Sequence, residues 1–124
     1  MRVRPERVAE TIKREMAEIL ANKLRDPRLT GMISVTDVEV TPDLSVARIF
    51  VSMLAPEDAR NRALEALTHS AGFVRHELAP RLGLREMPEI RFLLDTSIQR
   101  GARVEELLRR IASGEAIADS DEET

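Results

Sequence analysis

Two histidines, His69 and His76, stand seven residues apart in a segment of helical periodicity, which puts them on one helix face two turns apart. That spacing does not span one metal ion, and no Cys or carboxylate joins the pair at ligand spacing. They read as solvated side chains. Asp95-Thr96-Ser97 is a second polar cluster, but it falls between a strand pattern and a helix pattern and so reads as a cap. Glu105-Glu106 lie on the polar side of a helix. The five glycines (31, 72, 83, 101, 114) never stand close enough for a P-loop or a dinucleotide fingerprint, and no nucleophile elbow occurs. These residues give no support to catalysis, and neither a metal nor a cofactor is expected.

Guanidinium chemistry remains. Seventeen of the 19 basic residues are Arg, whose planar fork suits phosphate oxygens, although GC-rich codon usage explains Arg over Lys equally well. The candidates for polyanion contact are Arg4, Arg7, Arg14, Lys23, Arg25 and Arg28 in the first helix and its exit. Arg75, Arg81 and Arg85 follow in the middle of the chain, and Arg100 and Arg103 begin the last helix. Taken singly, each reads as a solvated charge or an i,i+4 partner such as Glu10–Arg14. As a set they point to phosphate binding. With three Phe and no Tyr or Trp, at least two rings are expected in the core, so a base-stacking sheet is not expected. Contacts through phosphates, 2′-hydroxyls and shape are.

The net charge of −3 conceals an asymmetry along the chain. Residues 115–124 hold five acids and no base, which leaves 19 basic against 17 acidic side chains in the rest. A mildly basic body with a basic front and an acidic tail suits an RNA-facing protein. The chain of 124 residues is 43% hydrophobic and 33% charged, the size of one domain. It has no Cys, no apolar run long enough to cross a bilayer and a charged start unlike a signal peptide, so a cytoplasmic protein without membrane contact is expected.

The elements that must position these side chains follow from periodicity. Pro5 opens a helix with Val8, Ile12, Met16, Ile19 and Leu20 on one face, expected to stop near Arg25 because Pro27 disfavours helix at Asp26. Ile33 and Val35 alternate, and Val38 and Val40 follow in the opposite phase, which predicts a bulge near Thr36-Asp37. A turn at Thr41-Pro42-Asp43 leads to a strand over 46–53 with Ala47, Ile49, Val51 and Met53 on one face. A second helix from Pro56 carries Ala59, Ala63, Leu67, Ala71, Val74 and Leu78. Ser70-Ala71-Gly72 interrupts it, and a Gly inside a helix signals a kink or a close backbone approach. Pro80 is expected to end this helix. A third strand carries Ile90, Phe92 and Leu94, and a last helix is expected to bury Val104, Leu107, Leu108 and Ile111. The order is α–β–β–α(kink)–β–α, an α+β fold with a mixed sheet covered by helices on one face. The acidic tail, residues 114–124, is expected to be disordered beyond a single domain over 1–113.

In order and spacing, these residues resemble the bacterial ribosome-binding factor A family over nearly all of 4–112. The likeness rests on Arg7-Val8-Ala9 with Ile12 and Glu15, on Asp26-Pro27-Arg28, and on Val35-Thr36-Asp37-Val38-Glu39-Val40. It continues through Asp43-Leu44 with Ala47 and Val51, Gly72-Phe73-Val74-Arg75, Leu84-Arg85, Pro88-Glu89-Ile90-Arg91-Phe92 and Asp95-Thr96-Ser97. Gly101-Ala102-Arg103 with Leu107-Leu108 completes it. The resemblance implies a type-II KH-like domain in which an interhelical Ala-x-Gly kink replaces the Gly-x-x-Gly loop. Ser70-Ala71-Gly72 falls there, with Ser at the first Ala. It further implies a non-enzymatic factor that binds free 30S ribosomal subunits and assists late maturation and processing of 16S rRNA near its 5′-terminal helix. Release linked to a maturation GTPase and a tie to growth in the cold are implied as well. A monomer suffices for this role. A protein–protein adaptor without RNA contact is the alternative.

Overall fold

Proline at a helix start has no N–H to lose, and α1 begins there, running over Pro5–Asn22 with Val8, Ile12, Met16 and Ile19 buried. The computed structural model describes residues 3–29 and 33–114, the side chains of 98–102 excepted. The helix stops three residues short of Arg25, where the N–H groups of Lys23 and Leu24 both donate to the Ile19 carbonyl, at 2.8 and 3.1 Å.

Strands β1 (Ile33–Val40) and β2 (Val46–Met53) pair antiparallel. Their register slips between Val35 and Asp37, so Val35 faces Val51 while Val38 faces Ile49. This is the bulge the phase change predicts. The extra residue turns Ile33, Val35, Val38 and Val40 to the same side although their spacing in sequence is out of phase. The connecting turn is held by Thr41, Asp43 and Ser45, with Asp43 Oδ1 accepting from both hydroxyls at 2.8 and 2.7 Å.

Helices α2 (Glu57–His69) and α3 (Ala71–Leu82) follow, then β3 (Glu89–Leu94), parallel to β2, and α4 (Ser97–Ala112). The sheet order β1-β2-β3 is mixed, as expected. Its inner face, with Ala47, Ile49, Val51, Ile90 and Phe92, packs with Ile12, Met16, Ile19, Leu67, Val74 and Leu78 into one core. The outer face pairs Arg48 with Glu39 on one side and Arg91 on the other.

Three expectations are corrected. Pro80 does not end the helix; α3 continues to Leu82 and stops at Gly83, whose left-handed φ of 63° and N–H to the Ala79 carbonyl form the cap. Pro80 removes a single bond in the last turn, and the partly buried Leu82 rewards the extension. The apolar face of α4 is not in the core: Val104, Leu108 and Ile111 are 53%, 60% and 54% exposed, and only Leu107 is half-buried. The first three helices already cover the inner face, and the outer face interrupts its apolar Phe50 and Leu93 with Glu39, Arg48 and Arg91. Third, Phe92 alone of the three Phe is buried. The acidic tail over 115–124 lies outside the described residues.

Candidate nucleic-acid interface

The second helix breaks at Ser70, whose φ and ψ of −90° and 3° leave α2 and α3 as separate segments. Ala71 and Gly72 are the first residues of α3. Gly72 has no left-handed backbone, and a side chain there would meet nothing within 4 Å. The bend is therefore centred on Ser70, not on Gly72, and Gly72 leaves open space beside it.

The loop leaving α1 comes to this break. Pro27 bars Asp26 from helix, and Arg28 closes back on Asp26 in a two-pronged fork, Nε to Oδ1 at 3.1 Å and Nη2 to Oδ2 at 2.9 Å. The Arg28 side chain holds the Asp26 carboxyl below its ordinary value of 3.8, helped by the Arg28 backbone N–H and weakly by His69. Arg28 Nη1 also reaches Glu65 Oε1 on α2 at 3.5 Å. The fork thus ties the loop to the end of α2 and neutralises two carboxylates beside the break.

Arg81 does the same between α3 and α1. Its Nη1 lies 3.2 Å from Glu15 and 3.3 Å from Glu18, and its Nη2 lies 3.7 Å from Glu77. Of the candidate phosphate contacts, Arg28 and Arg81 therefore already face carboxylates within the protein. Arg14 pairs loosely with Glu15 at 3.6 Å and is mostly exposed. Arg7 and Arg14 share the flank of α1 that Glu18 marks as facing α3.

Arg4, Arg7, Lys23, Arg25 and Arg85 are exposed, and their side chains make no ion pair among the described residues. Arg75, also exposed, donates to the Met87 carbonyl at 3.3 Å and so stands beside the α3–β3 connection with Arg85. Arg103 is exposed on α4, and the side chain of Arg100 lies outside the described set. Arg4 and Lys23 are about 28 Å apart along α1 at the usual rise per residue. The cations therefore span the molecule rather than converge on a pocket.

Phe73 was missed as a surface residue. It is 42% exposed, next to the open space at Gly72, and its flanking His69 and His76 are exposed too. The signal was present: Phe73 precedes Val74 by one residue and so sits about 100° off the stripe of Val74 and Leu78. Phe50, half-buried, belongs to the outer sheet face, paired with Asp37 and Leu93.

Asp95 behaves as a cap and a tie. Its Oδ1 accepts from the Ser97 N–H at 3.0 Å, and its Oδ2 accepts from the bulge residue Thr36 at 2.8 Å. Among the described residues no group of His, Cys, Asp and Glu is arranged to hold a metal, and no helix is long and apolar enough to cross a membrane.

Comparison with known proteins agrees with this geometry. The sequence model of one family, described as ribosome-binding factor A, matches residues 4–108. A ribosome-binding factor A from Desulforamulus reducens is 48% identical over 113 residues, covering 91% of this chain and 93% of that protein. The crystal structure of ribosome-binding factor A from Thermus thermophilus superposes with a TM-score of 0.63 at 29% identity, over 74% of this chain and 97% of that one. A Thermus thermophilus homology model fitted into a cryo-EM map of a 30S–RbfA complex gives a TM-score of 0.59 at 30% identity, over 71% and 91%. The α+β order, the mixed three-stranded sheet and the broken helix standing where a Gly-x-x-Gly loop would be are those of a type-II KH-like domain, and the chain belongs to the ribosome-binding factor A family.

Proposed function

We propose that this protein binds the free 30S ribosomal subunit as an assembly factor, assisting late maturation and processing of 16S rRNA near its 5′-terminal helix. The observation that carries this reading is family membership over nearly the whole domain, together with a structural relative placed in a 30S complex. The chemistry fits it. Exposed guanidinium and ammonium groups at Arg4, Arg7, Arg14, Lys23, Arg25, Arg75, Arg85 and Arg103 supply phosphate contacts, while Arg28 and Arg81 hold the elements that present them. Arg100 belongs to the same proposed set. No bond-breaking step is assigned to the protein.

The mechanism is differential affinity. A factor that holds an immature RNA arrangement more tightly than the mature one shifts the population, then leaves when that difference disappears. The same reading has the protein acting as a cytoplasmic monomer, released with a maturation GTPase and most needed in the cold. Cosedimentation with purified 30S, immature 30S and 50S subunits tests it. Binding to 30S particles with preference for the immature form is expected; equal binding to 50S, or none to 30S, contradicts it.

A second reading, a protein–protein adaptor, has one observation in its favour, the exposed apolar face of α4. It requires that Arg7→Glu, Arg75→Glu and Arg85→Glu together leave subunit association intact. The assembly-factor reading expects that triple variant to lose it.

A further inference from the structure

One outward strip of α3 carries rings. At 100° per residue, Phe73, His76 and Pro80 fall within about 60° of one another, directed away from Val74 and Leu78 in the core. All three are exposed, as are Gly72 and, across the break at the end of α2, His69. The one acid on this side, Glu77 at about 40° from Phe73, is partly buried and turned to Arg81 at 3.7 Å, so the strip shows solvent mainly rings where a solvated helix ordinarily shows charges.

The nearest carboxylates are already matched. Glu65 faces Arg28 at 3.5 Å, and Glu77 faces Arg81 at 3.7 Å. Arg75 is about 160° around α3 from Phe73 and donates to the Met87 carbonyl at 3.3 Å, so it stands on the other side of the helix. Apart from its chain neighbours and its own helix backbone, nothing comes within 4 Å of where a Cβ on Gly72 would stand, so no other element covers this side of α3 next to Phe73. The strip offers an uncovered ring face to a ligand that brings its own π-faces.

From this juxtaposition we infer that Phe73 is a stacking platform for an unpaired RNA base, with His76 one turn further along the same strip. This rests on the proposed RNA-binding role and deepens it: the ligand is a single-stranded or bulged nucleotide, not duplex alone. Duplex RNA keeps its bases stacked on one another and offers the ring no free face. Stacking of one base on one aromatic ring corresponds to roughly 5- to 150-fold in affinity.

The chain has no Trp or Tyr, so Phe73→Trp introduces a single reporter fluorophore. Leu54→Trp, on the exposed residue before α2, serves as the control. Three probes are titrated at low salt: a twelve-nucleotide oligo(A), a duplex RNA of equal length, and purified 30S subunits. Oligo(A) is expected to quench Phe73→Trp but not Leu54→Trp, and the duplex to quench neither. Phe73→Leu, which keeps an apolar side chain at an exposed site and is expected to melt like wild type, is expected to bind 30S subunits at least 5-fold more weakly. Its salt dependence should be unchanged. Absence of quenching by oligo(A), or unaltered 30S affinity in Phe73→Leu, overturns the inference while leaving 30S binding by wild type to stand. Weakened 30S binding without quenching by oligo(A) also overturns it, because the ring then meets a protein. Failure of wild type to bind 30S at all instead removes the assembly-factor reading.

Discussion

Arg28 and Arg7 look alike in sequence, yet the fold gives them different work. Arg28 is bound in a fork to Asp26, while Arg7 is exposed without an ion pair among the described residues. The Asp26 carboxyl, held below its ordinary 3.8 chiefly by the Arg28 side chain, stabilises the fold above that pH and ceases to as pH falls through the lowered value. Asp26→Asn is therefore expected to melt below wild type at neutral pH, with the gap closing as pH drops below 3.8; a constant gap across pH would contradict the fork. Arg81→Ala leaves Glu15, Glu18 and Glu77 without their shared cation, and a loss of about 1 kcal/mol is expected in urea unfolding. Its effect on subunit affinity should be smaller than that of Arg7→Ala.

At the scale of elements, the broken helix and the unpacked last helix carry the account. Ser70 makes the break, and Gly72, without a left-handed φ or a close neighbour, gains helix propensity when a methyl is added. Gly72→Ala is expected to raise stability by up to about 1 kcal/mol in urea unfolding; a loss would show that the bend needs glycine. Val104→Ser with Leu108→Ser should shift stability by less than about 0.5 kcal/mol, because both side chains are already exposed. A larger loss would mean that α4 packs on the body. The strands were legible in the sequence, down to the bulge, because period-2 alternation reports burial directly and its phase slip has a single geometric cure. The position of α4 was not legible: Val104, Leu107, Leu108 and Ile111 specify an amphipathic helix but not whether a partner surface remains for it. Pro80 misled because a helix end depends on the next favourable cap, here Gly83. Leu44, at φ 63° in the β1–β2 turn, carried no signal at all, since the residues that favour that conformation are Gly and Asn. Of the candidate interface, residue types were legible, but which Arg faces a carboxylate depends on long-range pairs such as Arg28–Glu65 and Arg81–Glu15.

For the whole molecule, a one-sided sheet leaves three helices to present the charges, and the exposed cations extend along α1 and around α3 rather than into a cleft. Such a surface suits a partner that is itself extended and uniformly charged. Its affinity must then fall steeply with salt, because each neutralised phosphate releases counterions. Equilibrium binding to purified 30S subunits across a salt series, for wild type and for Arg4→Gln/Arg7→Gln/Arg25→Gln, tests this most directly. Wild type should give a steep negative slope of log affinity against log salt. The triple variant should flatten it by roughly 0.7 to 0.9 for each phosphate that is no longer neutralised. Binding indifferent to salt, or an identical slope in the variant, would contradict recognition through the RNA backbone.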